Sequence, residues 1–135
     1  MPIVLTSSGR PNRIPLPVYF AAAGGATGWQ IMALDGTGYT TVAAMQAAGK
    51  KPWPSLPLGA WDCLVKTKGI ASGGDAPGSA YQIAINGTGA NNAAPTTGDS
   101  IAGNDYTEID SPGYVNCIWV NLSVGTDTPL FMIEW

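Results

Sequence analysis

The longest apolar run without a strong breaker covers residues 113–124 and reads GYVNCIWVNLSV. Most of its apolar residues are β-branched or aromatic, and such side chains suit the pleated surface of a sheet. Successive side chains of a strand point to opposite faces, which divides the run into two apolar sets. One set is Tyr114, Ile118, Val120, Leu122 and Val124, and the other is Val115, Cys117 and Trp119. Because both faces are apolar, the run predicts a central strand of a two-layer β structure.

Shorter runs of the same kind recur along the chain, with turn residues between them. They predict strands at 18–20, 29–34, 39–42, 60–67, 79–85, 105–110 and 129–135. Asp35 and Gly36 separate two of these runs and indicate a hairpin, because both residues tolerate positive φ. About eight short strands are typical of a β-sandwich or a jelly-roll or barrel. The expected core contains Trp61, Leu64, Tyr81, Ile83, Ile118, Val120 and Leu122.

Residues 40–48 fit a short helix as well as the end of a strand. A Thr could cap the first turn, Val42 and Met45 are three residues apart, and Gly49 is a common helix stop. A helix of this length is marginal in isolation. The fold class is therefore all-β, with one short helix as an open alternative.

The length of 135 residues predicts a single β domain, 18–135, preceded by an extended N-terminal arm, 1–17. Four prolines of the arm cannot donate backbone hydrogen bonds, so the arm is a poor central strand and a good strap. We expect it to lie along a neighbouring subunit; packing on its own domain is the alternative. Its candidate contact residues are Ile3, Val4, Leu5, Arg10 and Arg13.

Residues 86–104 are rich in Gly, Asn and Thr and include one large apolar residue, Ile101. Ordering a backbone costs about 1–2 kcal/mol per residue, and this segment has little apolar area to offset that cost. We therefore expect a long loop that contact with another subunit orders. Packing on itself as an Ω-loop is the alternative.

Charged residues make up 11% of the chain, with a formal net charge of −3, six scattered basic residues and no His. Nucleic acid is therefore not an expected partner, because phosphate backbones are bound by clustered Lys and Arg. The absence of His excludes catalytic triads and metal sites that need it. Cys63 and Cys117 are expected to be buried, reduced thiols, with a disulfide as the alternative. We expect no cofactor and no metal.

Two further patterns bear on chemistry and contact. The acidic residues Asp99, Asp105, Glu108 and Asp110 could ligate calcium or form a glycosidase pair, but a solvated strand edge explains them better. No catalytic residue is therefore predicted. Trp53 and Trp135 are the tryptophans expected to be free for an interface. No basic region precedes an apolar core at the N-terminus, and no run approaches about 20 apolar residues, so neither a signal peptide nor a membrane span is expected.

A low-charge β domain with an arm, long Gly/Asn/Thr loops and a terminal aromatic resembles the decoration, or cement, proteins of tailed-bacteriophage capsids. The resemblance is one of size and composition over the whole chain, and no motif carries site residues across. It implies a structural, non-enzymatic virion protein on the capsid exterior, made in the host cytoplasm. The implied partners are the major capsid protein and further copies of the chain. A carbohydrate-binding module or a receptor-binding phage tail domain is the alternative, and a small hydrolase is a third hypothesis.

Overall fold

The computed structural model describes residues 17–55, 63–72, 76–89, 91–103, 106–111 and 115–134. The predicted N-terminal arm and Trp61 lie outside these ranges, apart from Pro17. Within them the chain forms nine strands, one short helix and a 3-10 turn at Ala23–Gly25. The elements are β1 (Val18–Tyr19), β2 (Gly28–Met32), β3 (Gly38–Tyr39), α1 (Val42–Ala47), β4 (Cys63–Lys68), β5 (Tyr81–Ile85), β6 (Asp99–Ile101), β7 (Tyr106–Ser111), β8 (Ile118–Leu122) and β9 (Leu130–Glu134).

These strands form two antiparallel sheets, which confirms the all-β prediction. The four-stranded sheet has the order β1-β9-β4-β7, and the five-stranded sheet has the order β3-β2-β8-β5-β6. If β3 is set aside as an extra edge strand, the first sheet contains strands 1, 8, 3 and 6, and the second contains strands 2, 7, 4 and 5. This is the strand order of an eight-stranded jelly roll, in which successive strands cross between the two sheets except at β5 and β6, which pair with each other.

The predicted central strand is β8, which lies in the middle of the five-stranded sheet between β2 and β5. Ile118 and Val120 face the other sheet, whereas Trp119 faces away and is nevertheless buried. The prediction that Val115 shares a face with Trp119 is wrong. Val115 packs with Ile118 instead, because residues 115–117 precede the regular ladder of β8. The strand ends at Leu122, so Val124 is 40% exposed.

The layer between the two sheets is the main hydrophobic core. The ring of Phe131 contacts the rings of Trp53 and Tyr81 edge-on, with centroid distances of 6.1 and 6.5 Å. The Tyr81 hydroxyl lies 2.7 Å from the Thr67 hydroxyl, which donates to the Leu130 carbonyl at 3.0 Å. This buried chain of hydrogen bonds joins the two sheets.

The predicted core residues Tyr81, Ile83, Ile118, Val120 and Leu122 are all buried in this layer, as expected. The prediction for Leu64 is wrong. Alternation along β4 turns Val65 and Thr67 inward, so the Leu64 side chain lies on the outer face and is only half-buried.

The hairpin and the short helix follow their sequence signals. The Thr37 N–H donates to Asp35 Oδ1 at 3.0 Å, and Gly36 has a φ of 91° between β2 and β3. In α1, Thr41 Oγ1 accepts the Ala44 N–H at 3.0 Å. The helix ends at Ala47, and Gly49, with a φ of 73°, turns the chain so that the Lys50 N–H donates to the Met45 carbonyl at 3.1 Å. The helical alternative for this segment is therefore correct.

The long-loop prediction for residues 86–104 is wrong at its distal end, where β6 pairs with β5 and Ile101 lies opposite Tyr81. Thr88 and Ala93 exchange two backbone hydrogen bonds of 2.8 and 3.0 Å, which close a tight turn. Trp119 Nε1 donates to the Asn92 carbonyl at 3.2 Å. Contacts within the chain therefore hold the described part of this segment at these points, and its contact with another subunit stays a prediction.

Ile118→Ala should lower the free energy of unfolding by about 2–5 kcal/mol, because Ile118 is fully buried and the substitution leaves a cavity. Val124→Ala is the matched control; it should change stability by no more than about 0.5 kcal/mol, since that side chain is exposed. Urea unfolding of both variants measures the difference. A loss below about 0.5 kcal/mol for Ile118→Ala would show that the inter-sheet layer is misplaced.

Candidate functional site

The outer face of the four-stranded sheet presents one row of residues across all four strands. Strand pairing places Tyr19 beside Leu130, Leu130 beside Lys68, and Lys68 beside Tyr106. The two tyrosines are 52% and 49% exposed, at the two edge strands of the sheet. We call this surface the open face and define it by Tyr19, Leu64, Lys66, Lys68, Tyr106, Glu108, Leu130 and Met132.

The open face is amphipathic. Leu130 and Met132 are half-buried on β9, with Leu130 beside Tyr19, and Leu64 is half-buried on β4. Lys66 and Lys68 of β4 lie between Leu130 and Met132 on one side and β7 with Tyr106 on the other. Lys66 lies opposite Glu108, and its Nζ is 3.9 Å from Glu108 Oε1. Tyr and Met are enriched where proteins meet, because they bury apolar area while a tyrosine hydroxyl keeps a polar partner. The tyrosines and Met132 of this face are of the residue types enriched in protein contacts, whereas its lysines and glutamate are typical of a polar rim.

The opposite side of the sandwich is covered differently. Ile31 and Trp119 on the outer face of the five-stranded sheet are buried beneath α1 and the Thr88–Ala93 turn, with Met45 of α1 in the same cluster. A cleft of about 600 Å³ remains between these covering segments. Its lining is Ile31, Val42, Ala43, Met45, Gln46, Lys50, Lys51, Pro52, Asn91, Asn92, Asn116 and Cys117.

Backbone hydrogen bonds fix each wall of this cleft. The Lys51 carbonyl accepts the Leu34 N–H at 3.0 Å, which anchors the segment after α1 to the end of the β2–β3 hairpin. Asn86 Oδ1 accepts the N–H groups of Asn116 and Cys117 at 2.6 and 3.4 Å. Asn92 Oδ1 accepts the Gly87 N–H at 3.2 Å. The cleft is therefore preformed rather than assembled from loose side chains.

Three titrating groups have pKa values set by this surrounding structure. A hydrogen bond from the Thr37 N–H lowers the pKa of Asp35, and Lys50, whose Nζ is 3.1 Å from Asp35 Oδ2, lowers it further. The same pairing raises the pKa of Lys50. Burial raises the pKa of Cys117 to about 11. Cys117 is a free thiol, as predicted, and is protonated at neutral pH; the Cys63 side chain is outside the described structure.

Most predicted contact residues fall outside the described chain: Ile3, Val4, Leu5, Arg10, Arg13 and Trp135. The expectation that Trp53 is free for an interface is wrong, since only 2% of it is exposed. The Trp53 N–H donates to the Met32 carbonyl at 2.9 Å, which ties the Pro-rich connector to β2. The indole then packs against Phe131 in the inter-sheet core.

The acidic residues are divided between the sheets. Asp99 lies in β6 of the five-stranded sheet, whereas Glu108 and Asp110 lie in β7 of the four-stranded sheet. Asp105 is outside the described ranges. Within those ranges no three His, Cys, Asp or Glu residues are grouped to hold a metal, and none of the helices is long and apolar enough to cross a membrane.

Sequence reasoning did not identify Tyr19, Tyr106 or the lining of the cleft as functional. The sequence did contain a signal for the two tyrosines. Each lies in an edge strand beside an inward-facing residue, so the alternation of side chains points the tyrosine outward. The cleft had no such signal, since its walls come from segments far apart in the sequence.

No protein-family model matches the chain, no curated protein matches it, and no solved structure matches it. The inference of function therefore depends on the chain's own surfaces.

The raised pKa of Cys117 predicts that its thiol reacts slowly in the folded protein. At pH 8 the thiolate fraction should be about a hundredfold lower than for a thiol of pKa 9.0, because each pKa unit is a factor of ten. Iodoacetamide should therefore label Cys117 slowly in the native protein and quickly in urea, as measured by peptide mass spectrometry. Native labelling at the urea rate would contradict the burial.

The raised pKa of Cys117 should also make the free energy of unfolding depend on pH. The folded state keeps the Cys117 proton between pH 9.0 and about 11, where the unfolded chain loses it, so stability falls as pH rises through this range. Cys117→Ser should remove this part of the decline. Tyr81, whose pKa burial raises to about 12, should leave a decline above pH 10.0 in that variant.

Proposed function

We propose that the chain is a structural virion protein that decorates and stabilises a phage capsid by bridging capsid subunits. The observation that carries this proposal is the open face, where the half-exposed Tyr19 and Tyr106 lie on the two edge strands and half-buried apolar residues lie on the strands between them. A sheet face of this composition gains free energy when another protein covers it, because its apolar area leaves water.

Further features support a structural role. Jelly rolls occur in viral capsid and lectin domains, although a fold alone does not determine a function. Among the acidic residues that the structure describes, Asp99 lies in a different sheet from Glu108 and Asp110.

In this proposal the open face binds the outer surface of the major capsid protein. The N-terminal arm extends to a neighbouring copy of the chain, so that binding and homo-oligomer formation reinforce each other. The protein is then located on the capsid exterior after synthesis in the host cytoplasm.

A carbohydrate-binding module or receptor-binding tail domain is the second candidate, and the cleft beside α1 favours it. The cleft has the volume of a small-molecule site, about 300–1,000 Å³ in other proteins, with an apolar floor and amide groups at its rim. It lies on the side of the sandwich opposite the open face.

The capsid proposal predicts that the chain co-sediments with virions purified from cultures of the strain that encodes it. Tyr19→Ser combined with Tyr106→Ser should weaken rebinding to stripped particles by at least about tenfold, because buried tyrosines are frequent binding hot spots. Leu34→Ser combined with Val124→Ser is the matched control, since those side chains are 45% and 40% exposed elsewhere.

The melting temperature of the tyrosine double variant should stay close to that of the wild type, because both side chains are on the surface. Absence of the chain from purified particles would refute the proposed function. Equal loss of binding in the two double variants would refute the assignment of the open face.

A further inference from the structure

We propose that the cleft beside α1 is a binding site for an acidic saccharide, a sugar ring that carries a carboxylate. The inference is independent of capsid binding, because the cleft and the open face are on opposite sides of the sandwich. Three properties of the lining lead to this ligand class: its charge, its amide groups and its apolar floor.

The charge of the lining favours an anion. Lys50 and Lys51 both line the cleft, and none of the lining residues is acidic. Lys50 is paired with Asp35 at 3.1 Å, which fixes its position at the rim. Asp35 offsets the charge of Lys50, so Lys51 provides the net positive charge of the rim.

The amide groups favour a ligand with many hydroxyls. Gln46, Asn91, Asn92 and Asn116 contribute four primary amides, each with two N–H donors and an acceptor oxygen. The backbone N–H of Asn116 is bound to Asn86, but its exposed side chain projects from a fixed backbone. Asn92 Oδ1 is used by Gly87, which leaves its Nδ2 group as a donor. Amide donors and acceptors in the lining can pair with the hydroxyls of a sugar.

The floor explains why a charged sugar is preferred to a neutral one. Val42, Ala43 and Pro52 provide the accessible apolar surface for the C–H face of a ring. Ile31 and Met45 are buried behind them. No aromatic side chain lines the cleft, so a neutral sugar or a nucleobase has no platform for stacking. Affinity must then come from charge-assisted hydrogen bonds, for which Lys51 is the available donor. The preformed walls reduce the ordering cost of binding.

Three probes separate these contributions: D-glucuronate has both charge and hydroxyls, D-glucose has hydroxyls only, and acetate has charge only. In ¹H–¹⁵N spectra, glucuronate should cause saturable shifts at the amides of Lys51, Asn91, Asn92 and Asn116 with a Kd in the millimolar range or tighter. Glucose and acetate should each bind at least about tenfold more weakly. An array of uronate-containing and other acidic oligosaccharides should give selective signal.

Matched variants test the assignment. Lys51→Gln should weaken glucuronate binding about tenfold and leave glucose unaffected, whereas Asn116→Ala should weaken both. Lys68→Gln on the open face is the control and should change neither. Three results would each overturn the proposal. Acetate could cause the same shifts as glucuronate, or Lys51→Gln and Lys68→Gln could have equal effects. Glucuronate could also cause no saturable shift while the array gives no signal. Loss of glucuronate binding with particle binding intact would leave the capsid proposal standing.

Discussion

The structure depends on one apolar layer that two sheets share. Phe131 is at its centre, on β9 between β1 and β4, and two rings from other segments meet it edge-on. The Tyr81 hydroxyl crosses the layer to Thr67, and Thr67 donates to Leu130. A buried hydroxyl without a partner would destabilise the core, so this hydrogen bond favours one alignment of the sheets over others.

Because the two sheets pack against each other through this layer, their outer faces are the surfaces that remain for other contacts. The outer face of the five-stranded sheet is itself apolar around Trp119, and it requires the cover that α1 and the Thr88–Ala93 turn provide. The covering segments do not fill the space completely, and the cleft is what remains between them. The four-stranded sheet has a more amphipathic outer face, and the described helix packs on the other sheet. The two candidate surfaces thus arise from one difference between the sheets.

Local patterns in the sequence were sufficient for much of the fold. The two apolar faces of β8 predicted its central position, and the Asp35–Gly36 pair and the Thr41 cap marked the hairpin and the helix. Other features depended on distant partners. β6 has one buried apolar residue, Ile101, and becomes a strand only because β5 offers it an edge. Trp53 lies between Pro52 and Pro54, which indicate an extended connector rather than a strand, and it was expected to be free for an interface; instead it packs against the buried ring of Phe131.

The candidate sites were harder to predict from the sequence, because they also depend on segments that are far apart along the chain. The open face requires the register of four strands, and the cleft requires segments near residues 42–52, 91–92 and 116–117 to meet. Neither arrangement leaves a compact motif in the chain.

The central claim is that the open face is the surface that meets the capsid. Hydroxyl-radical footprinting of the chain, free and bound to purified particles, tests it most directly. Tyr19 and Tyr106 should be protected from oxidation on binding, whereas Tyr39, which lies in β3 at the edge of the other sheet, should be unchanged. Protection of Tyr39 with Tyr19 and Tyr106 as reactive as in the free protein would contradict the claim.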